Sequence, residues 1–202
     1  MENQEKVWNE IAEEWNKFRQ KPLPEAMDFL GDKKGKVLDL GCGSGRNFIA
    51  NKKIKFYCVD FSKEMIKFAK ENAKKKGINA KFFISDSENL SFADNFFDSA
   101  IYIAALHCIP ENRQRKKSLR ELFRTLKKNS KALITVWSKN HIKLVNHTKD
   151  ATITWKKDSE RLQRYYYLYD KEELKELLEN VGFKIISIND DGKNIVFIVK
   201  KP

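Results

Sequence analysis

The segment that most constrains the fold is a short apolar strand followed by a loop with glycine at every second position. The strand covers residues 36–40, and the glycines are Gly41, Gly43 and Gly45. Only glycine lets a backbone turn this tightly and lets a ligand approach it so closely. We therefore predict that the loop binds a ligand at the carboxyl end of this strand and that a helix follows it.

Strand and helix patterns alternate through the middle of the chain, which predicts a mostly parallel sheet with helices on both faces. Further strands are predicted over 56–59, 81–84, 97–104 and 132–137, and helices after Ser62 and over 113–126. Two last strands, 183–188 and 194–199, flank a hairpin signal at 190–192. The pattern predicts an α/β, doubly wound sheet that closes with a C-terminal antiparallel hairpin.

Two stretches stand outside this alternation within what we interpret as a single domain, 1–202. Residues 1–31 are predicted to form N-terminal helices, because apolar residues recur at helical spacing up to Phe18 and a second short helix follows Pro22 and Pro24. Residues 139–163 have weak periodicity. We interpret 139–169 as an insertion or lid over the functional face.

Composition limits the cellular setting. Three cysteines without CxxC spacing argue against a disulfide framework or a structural zinc site and indicate a reduced, cytoplasmic compartment. No run approaches the ~18 apolar residues of a membrane span, and the charged N-terminus is unlike a secretory signal. The net charge of +12 fits an anionic partner such as nucleic acid, or lysines scattered over solvated faces.

Acidic residues follow the predicted strands and suit a cationic nucleoside. Asp60, 19 positions beyond Gly41, can accept hydrogen bonds from both ribose hydroxyls. Asp86 can accept from an adenine amino group, and Asp39 can attract the cationic end of the ligand. Three carboxylates suit a donor that carries a sulfonium and an ammonium, and they would repel a pyrophosphate. The alternative for each is a helix cap or an ordinary loop carboxylate.

A nicotinamide dinucleotide site is the competing interpretation of the loop. Its G-x-G-x-x-G fingerprint uses the third glycine for close packing of helix on strand. Counting from Gly41, the sixth position is Arg46, and Gly45 falls one place earlier. The spacing is instead similar to the G-x-G-x-G of methyltransferases.

These residues resemble the class I methyltransferases, and the resemblance covers most of the chain, including residues 92–98. It implies a Rossmann-like, seven-stranded sheet with a reversed last hairpin. It also implies S-adenosyl-L-methionine as cofactor at the carboxyl ends of the first strands. The predicted cofactor-binding residues are Asp39, Gly41, Gly43, Gly45, Asp60, Phe61, Asp86, Ser87 and Leu106.

A narrower resemblance is to the tRNA wobble-uridine methyltransferases. The matching segments are 11–12, 19–24, 104–107, 133–137, 164–169 and 194–200. The resemblance implies esterification of 5-carboxymethyluridine in the tRNA anticodon loop. It also implies a small zinc-binding activator protein that extends the sheet at strand 81–84, whose apolar edge would otherwise favour aggregation. The sequence departs from the family at Cys108, Ile109 and Ile195, which concern the acceptor.

A carboxylate acceptor is already ionised at neutral pH, so the site needs cations more than a base. Arg19 and Arg115 are the candidates to hold it. His107, expected at the end of the fourth strand, can hydrogen-bond the acceptor, act as a base or simply pack. Trp137 can wall the acceptor or belong to the core. The other predicted substrate-binding residues are Lys21, Arg164 and Tyr165.

Residues 161–169 interleave two arginines with four tyrosines, a composition that can hold single-stranded RNA by stacking and charge. Alternatively, the tyrosines pack beneath the lid. Two other functions stay open at this stage: a methyltransferase that acts on a small molecule, and a non-catalytic scaffold that keeps the fold. Neither would change the glycine loop.

Overall fold

The structure is a computed structural model that describes residues 2–141, 148–157 and 159–202. The helices are α1 (Gln4–Phe18), α2 (Pro24–Gly31), α3 (Lys63–Lys76), α4 (Asn112–Thr125) and α5 (Lys171–Val181). The strands are β1 (Gly35–Leu40), β2 (Ile54–Asp60), β3 (Ala80–Ile84), β4 (Phe97–Ile103), β5 (Leu126–Trp137), β6 (Asp150–Lys157), β7 (Glu160–Tyr167), β8 (Lys184–Asp190) and β9 (Asn194–Lys200). A one-turn 3-10 helix covers Leu106–Cys108.

Seven strands form one sheet in the order β3-β2-β1-β4-β5-β9-β8. The first five are parallel, whereas β9 runs antiparallel to both β5 and β8. Gly192, with φ +77°, makes the turn of the last hairpin. The predicted α/β, doubly wound sheet with a C-terminal antiparallel hairpin is therefore confirmed.

Alternate residues of the central strands belong to two separate cores, as the two-residue period of a strand requires. Val37 and Ile101 pack with α2 and α3 on one face, and Leu38 and Tyr102 pack with α4 and α5 on the other. Because helices cover both faces, the sheet is open to a ligand at the carboxyl ends of its strands. Strand order reverses between β1 and β4, which is where ligands bind in sheets of this kind.

Local signals in the sequence fix the ends of α3. The Ser62 hydroxyl accepts a hydrogen bond from the Met65 N–H at 3.1 Å, which caps the first turn. Gly77 ends the helix in the left-handed conformation, with φ +64°. Asp170 and Gly182 bound α5 in the same way.

The predicted helix after the glycine loop is wrong. Residues 41–47 form successive turns, and β2 begins soon afterwards at Ile54. Gly45, with φ +77°, breaks any helix there, and a Cβ on it would lie 2.1 Å from the Phe48 ring. The strand predicted over 132–137 also begins earlier, at Leu126.

A third apolar cluster lies outside the sheet and joins α1 to the paired strands β6 and β7. It contains Ile11 of α1, Met65 of α3 and Tyr166 of β7. These two strands fall within the interpreted insertion, 139–169, of which residues 142–147 and 158 lie outside the described residues. In the part of the chain that the structure describes, no helix has the length and apolar character to cross a membrane.

Candidate functional site

A cavity of about 270 Å³ opens at the carboxyl ends of β1, β2 and β4. Its walls come from the glycine loop, the strand tips, the turn after β3, the segment after β4 and helix α1. The residues that line the cavity include Trp8, Trp15, Gly41, Gly43, Arg46, Asp60, Phe61, Asp86, Ser87 and Ile109. The cavity lies at the reversal of strand order, as the fold predicts.

The glycine loop needs two of its glycines for different reasons. At Gly41, φ is +68° and a Cβ would lie 2.3 Å from the Ala105 Cβ, so a side chain cannot fit. At Gly43, φ is +52° and the nearest atom to a Cβ would be Trp15 Nε1, 4.0 Å away on the cavity wall. The space beside Gly43 is therefore left for a ligand.

Asp60 ends β2 and lies in the cavity wall. One carboxylate oxygen accepts the Gly43 N–H at 2.8 Å, and the other accepts the Ser62 N–H at 2.9 Å. Burial raises its pKa to about 6, although these two hydrogen bonds act in the opposite direction. Each carboxylate oxygen has further lone pairs, so Asp60 can still accept from the hydroxyls of a ligand.

Asp39 lies behind the loop on β1 rather than in the cavity wall. It is 1% exposed, and its Oδ2 has no hydrogen-bond partner among the described residues. Burial, and then the charge of Asp60, raise its pKa to about 8. At neutral pH Asp60 is ionised and Asp39 holds its proton, so the charge that favours a cationic ligand and disfavours a pyrophosphate is that of Asp60. A positive charge nearby would lower the Asp39 pKa, so the residues fit a sulfonium nucleoside.

The other predicted cofactor residues divide into two groups. Phe61, Asp86 and Ser87 line the cavity. Gly45 packs against the Phe48 ring and Leu106 is fully buried in the core, and neither lies in the cavity wall. The strand tips thus bring most of the predicted set together.

His107 lies in the 3-10 helix rather than at a strand end, which corrects its predicted position. The chain leaves β4 through Ala104, whose φ is +53°. The His107 ring is 1% exposed, and its Nδ1 accepts the Trp137 N–H at 2.9 Å. Burial lowers its pKa to about 3. The packed alternative fits this geometry, because the ring lies outside the cavity wall.

Arg115 also lies outside the cavity wall. Its guanidinium is 5% exposed and donates to the carbonyls of Ile109 and Pro110 at 2.8 and 2.7 Å. It lies 3.9 Å from the centre of the Tyr167 ring. Because Ile109 and Pro110 line the cavity, Arg115 holds that part of the wall in place.

Arg46 stands where the dinucleotide fingerprint would have its third glycine, and it was not predicted to be a site residue. It lines the cavity beside the glycine loop. Its Nε donates to the Lys21 carbonyl at 2.8 Å. Burial, and then the positive charge of Arg19, lower its pKa. Among the described residues, the arginine salt bridges are those of Arg124, so Arg19 and Arg46 form none, although the charge of Glu25 also acts on Arg46. We call Arg19 and Arg46 the guanidinium pair.

The remaining predicted substrate residues are packed or peripheral. Trp137 stacks on the Tyr166 ring at 4.3 Å, and the Arg164 guanidinium donates to the Tyr166 hydroxyl at 2.7 Å. Tyr165 is 2% exposed and donates to Asp150. The Lys21 side chain is exposed. These contacts favour the alternative in which the tyrosines of β7 pack against neighbouring side chains over the one in which they present their faces to RNA.

Side chains of α1 line the cavity, which was not predicted from the sequence. Trp8 and Trp15 lie in its wall, with ring centres 5.1 Å apart. Their seven-residue spacing places them on one helical face, and this spacing is the signal that could have identified them. Residues 108–110 were not assigned to the cavity either. The Arg115 guanidinium holds the carbonyls of Ile109 and Pro110, and this tertiary contact does not show in the sequence.

Comparison with known proteins identifies the domain. A family model described as a methyltransferase domain matches residues 31–182. The protein of Xenopus tropicalis named tRNA (carboxymethyluridine(34)-5-O)-methyltransferase alkbh8 is 33% identical over 135 residues, which cover 66% of this chain and 20% of the relative. The chain thus spans about a fifth of that relative's length.

Two further matches extend over nearly the whole chain. The tRNA (carboxymethyluridine(34)-5-O)-methyltransferase of Schizosaccharomyces pombe is 28% identical over 222 residues, with 96% of this chain and 94% of the relative covered. A solved complex between the Haloferax volcanii Trm112 methyltransferase activator and a putative methyltransferase matches with a TM-score of 0.70 at 16% identity. That match covers 96% of this chain and 97% of the matched one.

Proposed function

The chain belongs to the methyltransferase domain family, and we propose that it methylates the carboxylate of 5-carboxymethyluridine at the wobble position of tRNA, with S-adenosyl-L-methionine as donor. The observation that carries the proposal is the contrast between the two sides of the cavity. Buried carboxyls, Asp39 and Asp60, lie at the strand tips, whereas the Arg46 guanidinium lines the cavity and Arg19 lies 4.9 Å from the ring of Trp15 in the cavity wall. The names of the two relatives also support it.

The donor side fits the chemical groups of S-adenosyl-L-methionine. Asp60 would accept the ribose hydroxyls, and Asp86 would accept from the adenine amino group. Asp39, behind the loop, would favour the positive charge once that charge lowers its pKa and it gives up its proton. When bound, the cofactor supplies a methyl group on a sulfonium, which is an electrophile that needs no further activation by the protein.

The acceptor side fits an anion. A carboxylate acceptor is ionised at neutral pH, since carboxyl pKa values are ~4, so its oxygen can attack the methyl carbon without a general base. As the oxygen–carbon bond forms, the methyl–sulfur bond would break and its electron pair would stay on the sulfur of the departing S-adenosylhomocysteine. The guanidinium pair would hold and orient that carboxylate, and alignment is the main source of rate in such a displacement. His107, whose pKa is lowered to about 3, is not required as a base.

We propose further that a small zinc-binding activator protein pairs with β3. This strand forms one edge of the sheet, and Ile84 at its end is 60% exposed. The chain's own helices and aromatic rings partly cover the side chains of Phe82 and Phe83. The part of β3 that is open to a partner strand is therefore its main-chain edge. The proposed tRNA substrate also implies a cytoplasmic location.

Methyl transfer to defined tRNA would test the function. Purified protein, with and without the activator, is incubated with labelled cofactor and with tRNA that carries 5-carboxymethyluridine. We expect a base-labile methyl ester in the nucleosides, identified by mass analysis. The matched control is the same tRNA with unmodified uridine, which offers no carboxylate. Methylation of a small carboxylic acid but not of the tRNA would contradict the proposal.

A further inference from the structure

The most exposed large apolar side chain of the described residues is Phe18, at the end of α1, which is 74% exposed. Its ring centre lies 6.3 Å from that of Trp155 on β6, in an edge-to-face arrangement. Trp155 is only partly buried. We call Phe18 and Trp155 the aromatic ledge. An exposed aromatic pair of this kind on a charged surface indicates a binding site.

The aromatic ledge continues a row of rings that begins inside the cavity. Trp155 lies 5.9 Å from Trp15, and Trp15 lies 5.1 Å from Trp8. Both Trp8 and Trp15 are in the cavity wall. A ligand that fills the cavity and extends outwards along α1 therefore meets aromatic surface all the way to Phe18.

Polar contacts hold the ledge in place before any ligand arrives. The Trp155 indole N–H donates to the Glu14 carboxylate at 2.7 Å, which fixes the ring plane. The Lys157 ammonium donates to the Glu10 carbonyl at 2.7 Å, which ties β6 to α1. A surface ordered in advance loses less conformational entropy when it binds.

Two arginines that form no salt bridge within the described part of the chain lie beside this row of rings. Arg164 lies 4.9 Å from the centre of the Trp155 ring, is 7% exposed, and its Nε has no hydrogen-bond partner among the described residues. Arg19 lies 4.9 Å from the Trp15 ring. Two acids also lie nearby: Glu13 pairs with Lys17, whereas Glu14 accepts from the neutral Trp155 N–H and keeps its charge.

Aromatic faces interleaved with cations match single-stranded nucleic acid, in which bases stack and phosphates carry the charge. An apolar protein segment would cover Phe18 but leave the cations without a counter-charge. We propose that the aromatic ledge stacks an unpaired nucleobase of the RNA next to the nucleotide held in the cavity. The RNA's identity rests on the proposed function, whereas the stacking site does not.

Substitutions at Phe18 test the ledge, because this side chain is exposed and its removal leaves the core intact. The probe is a fluorescently labelled tRNA anticodon stem-loop, and its affinity for the full chain is measured by anisotropy. We expect Phe18→Ala to weaken binding by about 5- to 150-fold, the range of one lost stacked base. Phe18→Tyr should bind as the unchanged protein does, and Phe18→Leu should bind as weakly as Phe18→Ala. Met27→Ala, at a 50% exposed position on α2, should have no effect.

Three results would overturn the stacking site. These are wild-type affinity for the stem-loop in Phe18→Ala, equal affinities of Phe18→Leu and Phe18→Tyr, and loss of affinity for the purified activator protein instead of the RNA. The methylation assay is separate: if the stem-loop result is as expected but no methyl ester forms, the proposed function fails and the stacking site stands. If methylation proceeds but Phe18→Ala binds normally, the reverse holds.

Discussion

The two sides of the cavity are built from different parts of the fold. The donor side consists of the glycine loop and the tips of β1, β2 and β3, which are fixed by main-chain pairing in the sheet. The acceptor side consists of α1, the segment after the 3-10 helix, and the guanidinium pair, of which Arg46 projects from the end of the glycine loop. Side-chain contacts between distant segments hold these parts in place. The donor side is acidic and buried, whereas the acceptor side is cationic and aromatic. Each side can therefore be altered separately.

The largest expected effect is on the donor side. Asp60→Ala removes a charged acceptor of ligand hydroxyls and of the Gly43 N–H. Hydrogen bonds to charged groups contribute about 1.5–3 kcal/mol each, so we expect S-adenosylhomocysteine to bind about 100-fold more weakly or worse. Titration calorimetry measures this affinity.

Asp28→Ala, at an exposed position on α2, is the matched control and should bind normally. The KM for tRNA at saturating cofactor should change little in Asp60→Ala. Unchanged affinity for S-adenosylhomocysteine would remove Asp60 from the donor side.

The next effect tests the acceptor side. Arg46→Ala removes half of the guanidinium pair, and we expect the KM for the carboxylate acceptor to rise about tenfold, the scale of one charged hydrogen bond. Cofactor affinity should stay as it is. Steady-state kinetics with each substrate varied in turn give both values, and Arg46→Lys should recover part of the loss. A variant that loses cofactor affinity instead would show that Arg46 belongs to the donor side.

The same division explains what the sequence could predict. Asp60 was identified from its distance to Gly41, because a strand tip in a parallel sheet has a fixed position relative to the loop. The alternation of strands and helices, the last hairpin and the start of α3 at Ser62 followed from local patterns in the same way. The helix after the loop was wrong, because Gly45 and the Phe48 ring decide that turn through a contact that periodicity does not record.

Positions on the acceptor side depend on tertiary contacts and were less predictable. The nearness of Arg19 to Arg46 depends on how the end of α1 meets the glycine loop, which no motif encodes. Arg115 carried the right chemistry for an anion, but two carbonyls already hold its guanidinium. The Trp8–Trp15 spacing shows in the sequence that the two rings share a helical face, whereas the contact of that face with the cavity depends on tertiary packing.

A third prediction concerns the stability of the donor side without ligand. Burial raises the Asp39 pKa to about 8 in the folded chain, whereas it is ~3.9 when unfolded. Between these values only the folded state holds the proton, so the free energy of unfolding falls as pH rises from about 4 to 8. The slope is at most about 1.4 kcal/mol per pH unit.

Asp39→Asn cannot ionise, so its unfolding free energy in urea should be flatter over that range. Asp28→Asn, exposed on α2, should keep the wild-type slope and serves as the control. A slope that is the same in Asp39→Asn and in the wild type would mean that Asp39 is already ionised in the folded protein.

The smallest expected effect is on the pH dependence of turnover. With both substrates saturating, the acceptor carboxylate is ionised throughout pH 6–8, and burial holds the His107 pKa at about 3. Turnover should therefore be nearly constant over that range, which distinguishes alignment from base catalysis. The turnover of His107→Asn is compared with that of the wild type only after the variant is shown to be folded, because the substitution replaces the acceptor of the Trp137 N–H. The opposite outcome is a turnover that rises with an apparent pKa near 6.5 in the wild type and no longer rises in a folded His107→Asn variant. That result would make His107 the base and assign it to the acceptor side.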